Sequence, residues 1–244
     1  MTSYDLYLES GPRRRKTMVH VLDLLGCVAL GPTTEEALAA TPDAIRAYRR
    51  FLRGHGEPLD PDEPFQTQVA EHITEGDWLG NGSPYLVFRP DLAPLTEEEI
   101  DTYLRWFRWL RDDLAAWAAR RTPAQLDATP VAGGRSARAI LLHVLGATGG
   151  YLSAALGSAK GFSALHGAAE RGEIALHDAL RHAAVMAEER VRATTAEERG
   201  AVRELPTGPR TLRKALRRLL EHDWEHLSEL ARRPDGPALR HEDL

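Results

Sequence analysis

Apolar and polar residues alternate with a period of two from Tyr4 to Glu9 and again from Thr17 to Leu24, with Gly11-Pro12 and a basic run between them. A short apolar run, Cys27 to Gly31, follows Gly26. A two-residue period puts alternate side chains on opposite faces of an extended chain, so the pattern predicts three strands joined by tight connections as an antiparallel meander. Pro32-Thr33-Thr34-Glu35-Glu36 then opens a helix, with Thr33 or Thr34 as N-cap and acids where the helix dipole favours them. Its apolar positions Ala37, Leu38, Ala44, Ile45, Tyr48, Phe51 and Leu52 run to Gly54, and Pro42 predicts a break or restart on the way. Residues 54–64 are rich in Gly, Pro and acids and read as a loop. Phe65 to Ile73 alternates again, and Tyr85 to Phe88 follows a turn-rich stretch, so both are candidate strands for the same sheet. Trp78 lies between them and reads as a loop tryptophan anchored on its own domain.

From Leu95 onward the period changes to 3.6. Thr96-Glu97-Glu98-Glu99 is a capping-box start for a helix to about Arg121, with Ile100, Tyr103, Leu104, Phe107, Leu110, Leu114 and Trp117 on its apolar stripe. Ser136 caps a second helix, Ala137 to Leu156. A third runs from about Gly172 to Arg192, and a fourth from Thr211 to Leu230. Four amphipathic helices of this length predict a bundle. The expected fold class is α+β, with a small antiparallel sheet plus helix over residues 1–93 and an up-down four-helix bundle over 94–244.

Composition narrows the class. With 244 residues, 43% hydrophobic and 27% charged, the chain can bury one large or two small cores. A net charge of −5 argues against bulk nucleic-acid or anionic-membrane binding, and Arg13, Arg14, Arg15 and Lys16 read as a solvated hairpin turn. The single cysteine, Cys27, excludes an internal disulfide framework and any multi-thiolate metal site. No signal-peptide pattern opens the chain, and no apolar run is read as membrane-spanning, so a soluble cytoplasmic protein is expected.

Ten histidines make imidazole the main soft ligand available. His222 and His226 are four residues apart on the fourth helix and leave one face together, which makes them a possible metal clip. His143 is the candidate third ligand, because it interrupts the apolar run Ala139 to Leu145, where a buried ring needs a partner. Helices two and four can face each other in a bundle, which is how such folds build metal sites. Among nearby acids, Glu229 could face inward as an orienting group or base, while Asp223, Glu225 and Glu229 all read as more ordinary solvated residues. Arg135 and Arg138 could hold an anionic substrate, with solvation again the plainer reading. His166 is read in a connection between helices, His177 and His182 on the surface, and His20 on the solvent side of the second strand.

Two resemblances bear on function. Leu25-Gly26-Cys27 and Gly31-Pro32-Thr33-Thr34-Glu35-Glu36-Ala37 resemble the strand, turn and helix start of the HicB-like family, although Leu25 stands where that family usually has proline. This resemblance implies a partner-binding or dimerising module. Gly134 to His143 and Leu220 to Leu227 are similar to the capped second helix and closing His-x-x-x-His of the DinB-like, YfiT-related bundles. That resemblance implies a metal triad of His143, His222 and His226, binding zinc, nickel or iron. It implies either a metal-dependent hydrolase or a bacillithiol-, mycothiol- or glutathione-type S-transferase acting on a small molecule, with a low-molecular-weight thiol as the further cofactor, and a homodimer. The alternative is a non-catalytic stress-related or toxin-antitoxin-like interaction protein that binds a protein partner through its N-terminal part.

Overall fold

The computed structural model describes residues 1–11, 16–131, 133–237 and 239. The expected α+β class is what it shows. Strands β1 (Thr2–Gly11), β2 (Lys16–Val21) and β3 (Cys27–Gly31) form the antiparallel meander. Helix α1 (Thr34–Gly54) then crosses the sheet, and β4 (Phe65–Ile73) joins the far edge, giving the order β3-β2-β1-β4. The β4 strand is parallel to β1, so the sheet is mixed rather than wholly antiparallel. In a meander β1 and β3 point the same way, and a helix that returns the chain from the end of β3 delivers β4 to the end at which β1 starts.

Several local expectations change. The second strand ends at Val21, and Leu22–Leu24 is a 3-10 turn. Tyr85 to Phe88 is irregular, leading into a second 3-10 turn, Arg89–Leu92. Pro42 does not interrupt α1, whose buried residues Ala37, Thr41, Ile45, Tyr48 and Leu52 continue on both sides of it. Packing of that face on the sheet outweighs the backbone hydrogen bond the proline removes. Arg13, Arg14 and Arg15 lie outside the described residues, while Lys16 begins β2 and donates to Asn81 Oδ1 at 2.9 Å.

Gly26, between the 3-10 turn and β3, has φ +111°, in the region L side chains avoid. A Cβ there would stand 2.2 Å from the Tyr48 hydroxyl, which donates to Leu25 O at 2.8 Å. The turn glycine is required twice over, by backbone conformation and by the close approach of α1.

The bundle is built from α2 (Glu97–Ala119), α4 (Ala137–Leu156), α6 (Leu176–Arg192) and α8 (Leu212–Ala231). Thr96 and Ser136 cap α2 and α4 as the sequence implies, and Thr211, the first residue of the expected fourth helix, caps α8. Shorter elements join them: α3 (Pro123–Asp127), α5 (Phe162–Glu170), α7 (Ala196–Gly200) and the hairpin of β5 (Arg203–Leu205) and β6 (Gly208–Arg210). His166 lies between the bundle helices α4 and α6 as expected, in a connection that itself forms the short helix α5. Both α4 and α2 pack on α6 and on α8. Helix α4 is by length and composition apolar enough to cross a membrane, contrary to the sequence reading, yet Ile140, Leu141, Val144, Leu145 and Leu152 are buried in the bundle.

Helix α8 also meets β3 and the 3-10 turn at Arg89–Leu92. One continuous set of buried apolar residues runs from the sheet through α1 and α8 into the bundle. The closing helix is thus enclosed on nearly every side.

Candidate metal centre

Enclosure of α8 explains how its polar residues are used. A bundle helix read alone has a dry face and a wet face, and Lys214, Arg217, Arg218, Glu221, His222, Asp223 and His226 would be its wet or rim positions. All seven are buried here: Arg217, Arg218 and Glu221 against the sheet and the Arg89–Leu92 turn, Lys214 against Ser83 and Leu86, Asp223 against Arg111 of α2, and His222 and His226 toward His143 of α4. Buried charge demands partners, and the N-terminal half supplies them. Asp91 accepts from Arg217 with both oxygens, each at 2.9 Å. Glu221 accepts from Arg218 at 2.7 Å and lies 2.7 Å from Nδ1 of His20. Glu9 accepts from the Ser83 N–H at 3.0 Å.

His20 is consequently fully buried and not on a solvent side. The alternation was read correctly, but both faces of β2 are covered, Val19 and Val21 on one and His20 against Phe88 and α8 on the other. Burial opposes a charge on the ring, yet the Glu221 and Glu9 carboxylates outweigh it and raise its pKa above the ordinary value. Asp223 is likewise not solvated: it pairs with the buried Arg111 of α2, at 3.1 Å from one guanidinium nitrogen. Glu225 is largely shielded and faces Arg218 at 3.6 Å.

Within this frame α4 and α8 bring His143, His222 and His226 together. One ligand-capable atom from each lies within 4.8 Å of the other two, and the Nε2 atoms of His143 and His222 are 2.9 Å apart. Nitrogen donors about 2.05 Å from a tetrahedral zinc would be about 3.3 Å apart, so only small side-chain shifts separate this cluster from a ligand set. His222 and His226 are buried, and His143 is the open edge. Burial lowers the pKa of all three, His222 well below the usual imidazole range and His226 to about 4, in the latter case against the opposing pull of Glu229. Neutral imidazole is the form that binds metal.

Glu229 faces the site, engaged by two neighbours. Its Oε2 lies 2.8 Å from Nδ1 of His226 and accepts from Arg135 at 2.9 Å. A carboxylate on Nδ1 leaves Nε2 of His226 as the nitrogen available to an ion. Arg135 is therefore tied to the site through Glu229, and Arg138 pairs instead with Asp127 at 3.3 Å. His177 and His182 are on α6, where His177 lies 3.5 Å from Asp178, apart from the triad.

Two cavities meet at the histidines. A cleft of about 900 Å³ between sheet and bundle is lined by His143, His222 and His226 together with β3, α1 and Trp78. Trp78 is 65% exposed with φ 63°, so it stands at the rim and is not anchored as expected. A smaller cavity of about 330 Å³ also touches His143 and His222 and is walled by Tyr85, Tyr151, Arg210 and Lys214. Sequence reasoning missed Lys214, although Lys214, Arg218, His222 and His226 recur every four residues and so share a face of α8.

No curated protein and no solved structure matches the chain. The profile of the DinB superfamily matches residues 106–230, just over half of the chain, and spans α4, α6 and all but the last residue of α8. With the three histidines gathered inside the matched region, the chain belongs to the DinB superfamily, a family of metal-binding proteins.

Proposed function

We propose that this protein is a metal-dependent enzyme that acts on a small molecule at His143, His222 and His226, and that thiol transfer is the reaction its geometry supports best. The observation carrying this reading is that His143 and His222 lie in the walls of two separate cavities. Two compartments meeting at one centre suit two reactants. The larger cleft has the volume and the mixed charges, among them Lys16, Arg135, Asp43 and Glu225, to take a flexible polar thiol, and the smaller cavity a compact electrophile.

Three imidazoles leave open positions on a divalent ion such as zinc, nickel or iron. When bound, the ion supplies a Lewis acid able to lower the pKa of a water or a thiol. The protein's own part is to hold three neutral ligands, with Glu229 orienting His226, and to present the second reactant from the smaller cavity. Hydrolysis is the second reading. It is less well served, because the carboxylates of the larger cleft that lie on α8 with the triad are engaged, Glu229 by His226 and Arg135 and Glu225 by Arg218 at 3.6 Å, and none lines the smaller cavity among the described residues. The N-terminal layer contributes Val28, Ala29, Leu30 and the α1 residues Ala40 and Ala44 to the cleft, so a role in shaping the entrance accompanies its HicB-like resemblance.

The test is turnover by chelator-stripped protein reloaded with zinc, nickel or iron. Low-molecular-weight thiols would be paired with small electrophiles, beside an ester and amide panel. Metal-dependent thiol consumption that vanishes in His143→Ala is expected. Absence of turnover with every metal, together with capture of a specific protein partner, would instead establish the interaction-protein alternative.

A further inference from the structure

The smaller cavity carries two cations that have no carboxylate partner among the described residues. Lys214 donates to the backbone carbonyls of Ser83, at 3.2 Å, and Leu86. Arg210 donates to its own hairpin, to Thr207 Oγ1 at 2.7 Å and Gly208 O at 2.9 Å. Elsewhere on α8 each buried cation has an acid: Arg217 has Asp91, and Arg218 has Glu221. A buried ammonium without a counter-charge is costly, so the Lys214 amine keeps its proton at little cost only when an anion stands beside it, and the cavity walled by Lys214 and Arg210 has room for one. Ala147, Gly150 and Ala154 of α4 and Ala215 of α8 give the wall an apolar stretch, flanked by the polar groups of Tyr85, Tyr151 and Thr211 and by His143 and His222.

We propose that this cavity is the subsite for a small carboxylic acid with a compact apolar body, its carboxylate on Lys214 and its body along α4 toward His143. The class follows from the donors available. A protonated amine that already serves two carbonyls has one N–H left, and Arg210 is largely spent on its hairpin, which suits a singly charged group and not a phosphate that needs several donors. The inference deepens the metal-enzyme reading by naming a substrate class, and the two can fail separately. Metal retention reports on the histidines, whereas ligand binding to metal-free protein reports on this cavity.

Lys214 gives the binding a signature. Burial, with Arg217, Arg210 and Arg218 adding to it and Asp91 opposing, pushes its amine down to about 6. Those are the charged groups facing it, from α8 itself, from β6 and from the Arg89–Leu92 turn, and Asp91 is committed to Arg217. The amine is mainly neutral in the free protein above neutral pH, and a bound carboxylate restores its proton.

The experiment is calorimetric titration of metal-stripped protein with benzoate and hexanoate at pH 7.5, in two buffers of different ionisation enthalpy, beside benzamide and inorganic phosphate. Benzoate and hexanoate should bind at least tenfold more tightly than the two controls and take up close to one proton per ligand. Lys214→Arg should keep binding and lose the proton uptake. Because a change at Lys214 could disturb the fold, Gly150→Leu provides a second test. A Cβ at Gly150 meets nothing within 4 Å, so leucine would fill the cavity without a backbone clash. It should weaken benzoate binding at least tenfold while melting temperature and zinc affinity stay at wild-type values. The proposal is overturned if neither acid binds at millimolar concentration, if phosphate binds as well as benzoate, if no proton is taken up, or if Gly150→Leu binds benzoate normally.

Discussion

Glu229 Oε2 lies 2.8 Å from Nδ1 of His226, one helical turn along the same face of α8. That contact places Glu229 where it orients the His226 ring of the candidate site. Outer partners of this kind are worth 10–100-fold in metal affinity. Glu229→Gln should therefore weaken zinc binding by about that factor, measured by competition with a chelator of known affinity. The melting temperature of metal-free protein should move little, because Glu229 is about one-third exposed. Unchanged zinc affinity would remove Glu229 from the site.

The triad itself predicts symmetry between distant positions. His143 lies on α4 and His226 on α8, and their rings have centroids 5.2 Å apart. His143→Ala and His226→Ala should each lower metal content to a small fraction of wild type, read by elemental analysis of protein purified without chelator. Full retention in His143→Ala would mean that the helix-spaced pair suffices without it.

Arg217 and Asp91 join the bundle to the segment that follows the sheet through two 2.9 Å hydrogen bonds at fully buried positions. Removing Asp91 takes away the bidentate partner and leaves Arg217 with Glu221 alone, at 3.2 Å and shared with Arg218 and His20, at a cost of up to about 3–5 kcal/mol. Asp91→Ala should show that loss in chemical denaturation. The double variant Asp91→Leu with Arg217→Met should recover most of it, since apolar replacement of both partners removes the stranded charge.

His20 sets a pH dependence. Its pKa is raised in the folded protein, so the stability it contributes is fully present below the unfolded imidazole value of about 6.5. That contribution is lost as the pH rises through the folded value. The melting temperature of metal-free protein relative to that of His20→Gln should fall on the alkaline side of neutrality, a difference in which the opposite trend from the lowered Lys214 amine cancels. A difference that stays flat across that range would remove His20 from the pH dependence.

Gly26→Ala tests the turn between sheet and helix. The positive φ alone costs about 1–3 kcal/mol for a residue with a side chain, and the Tyr48 hydroxyl must also move. A loss of at least that size is expected by urea denaturation, and a smaller one in a Tyr48→Phe background, where the obstructing hydroxyl is gone.

What the sequence determined by itself was whatever rests on local periodicity and spacing. The period of two placed β1 to β4, the period of 3.6 placed the long helices, and Thr96, Ser136 and Thr211 placed three helix starts, because neighbouring residues alone decide these features. The four-residue interval made His222 and His226 neighbours, and an imidazole breaking an apolar run singled out His143. Tertiary structure alone decided the rest. Burial of His20 and Arg217 depends on the sheet and the segment after it covering α8, and no local pattern encodes that arrival; Asp223 is buried by Arg111 of α2, which no spacing on α8 encodes either. The continuity of α1 through Pro42 and the parallel setting of β4 were likewise settled by packing and by chain direction over long separations. Lys214 differs from the other cations of α8 only in that the surrounding surfaces bring it two carbonyls and no acid, which is a property of the assembled cavity and not of its position in the chain.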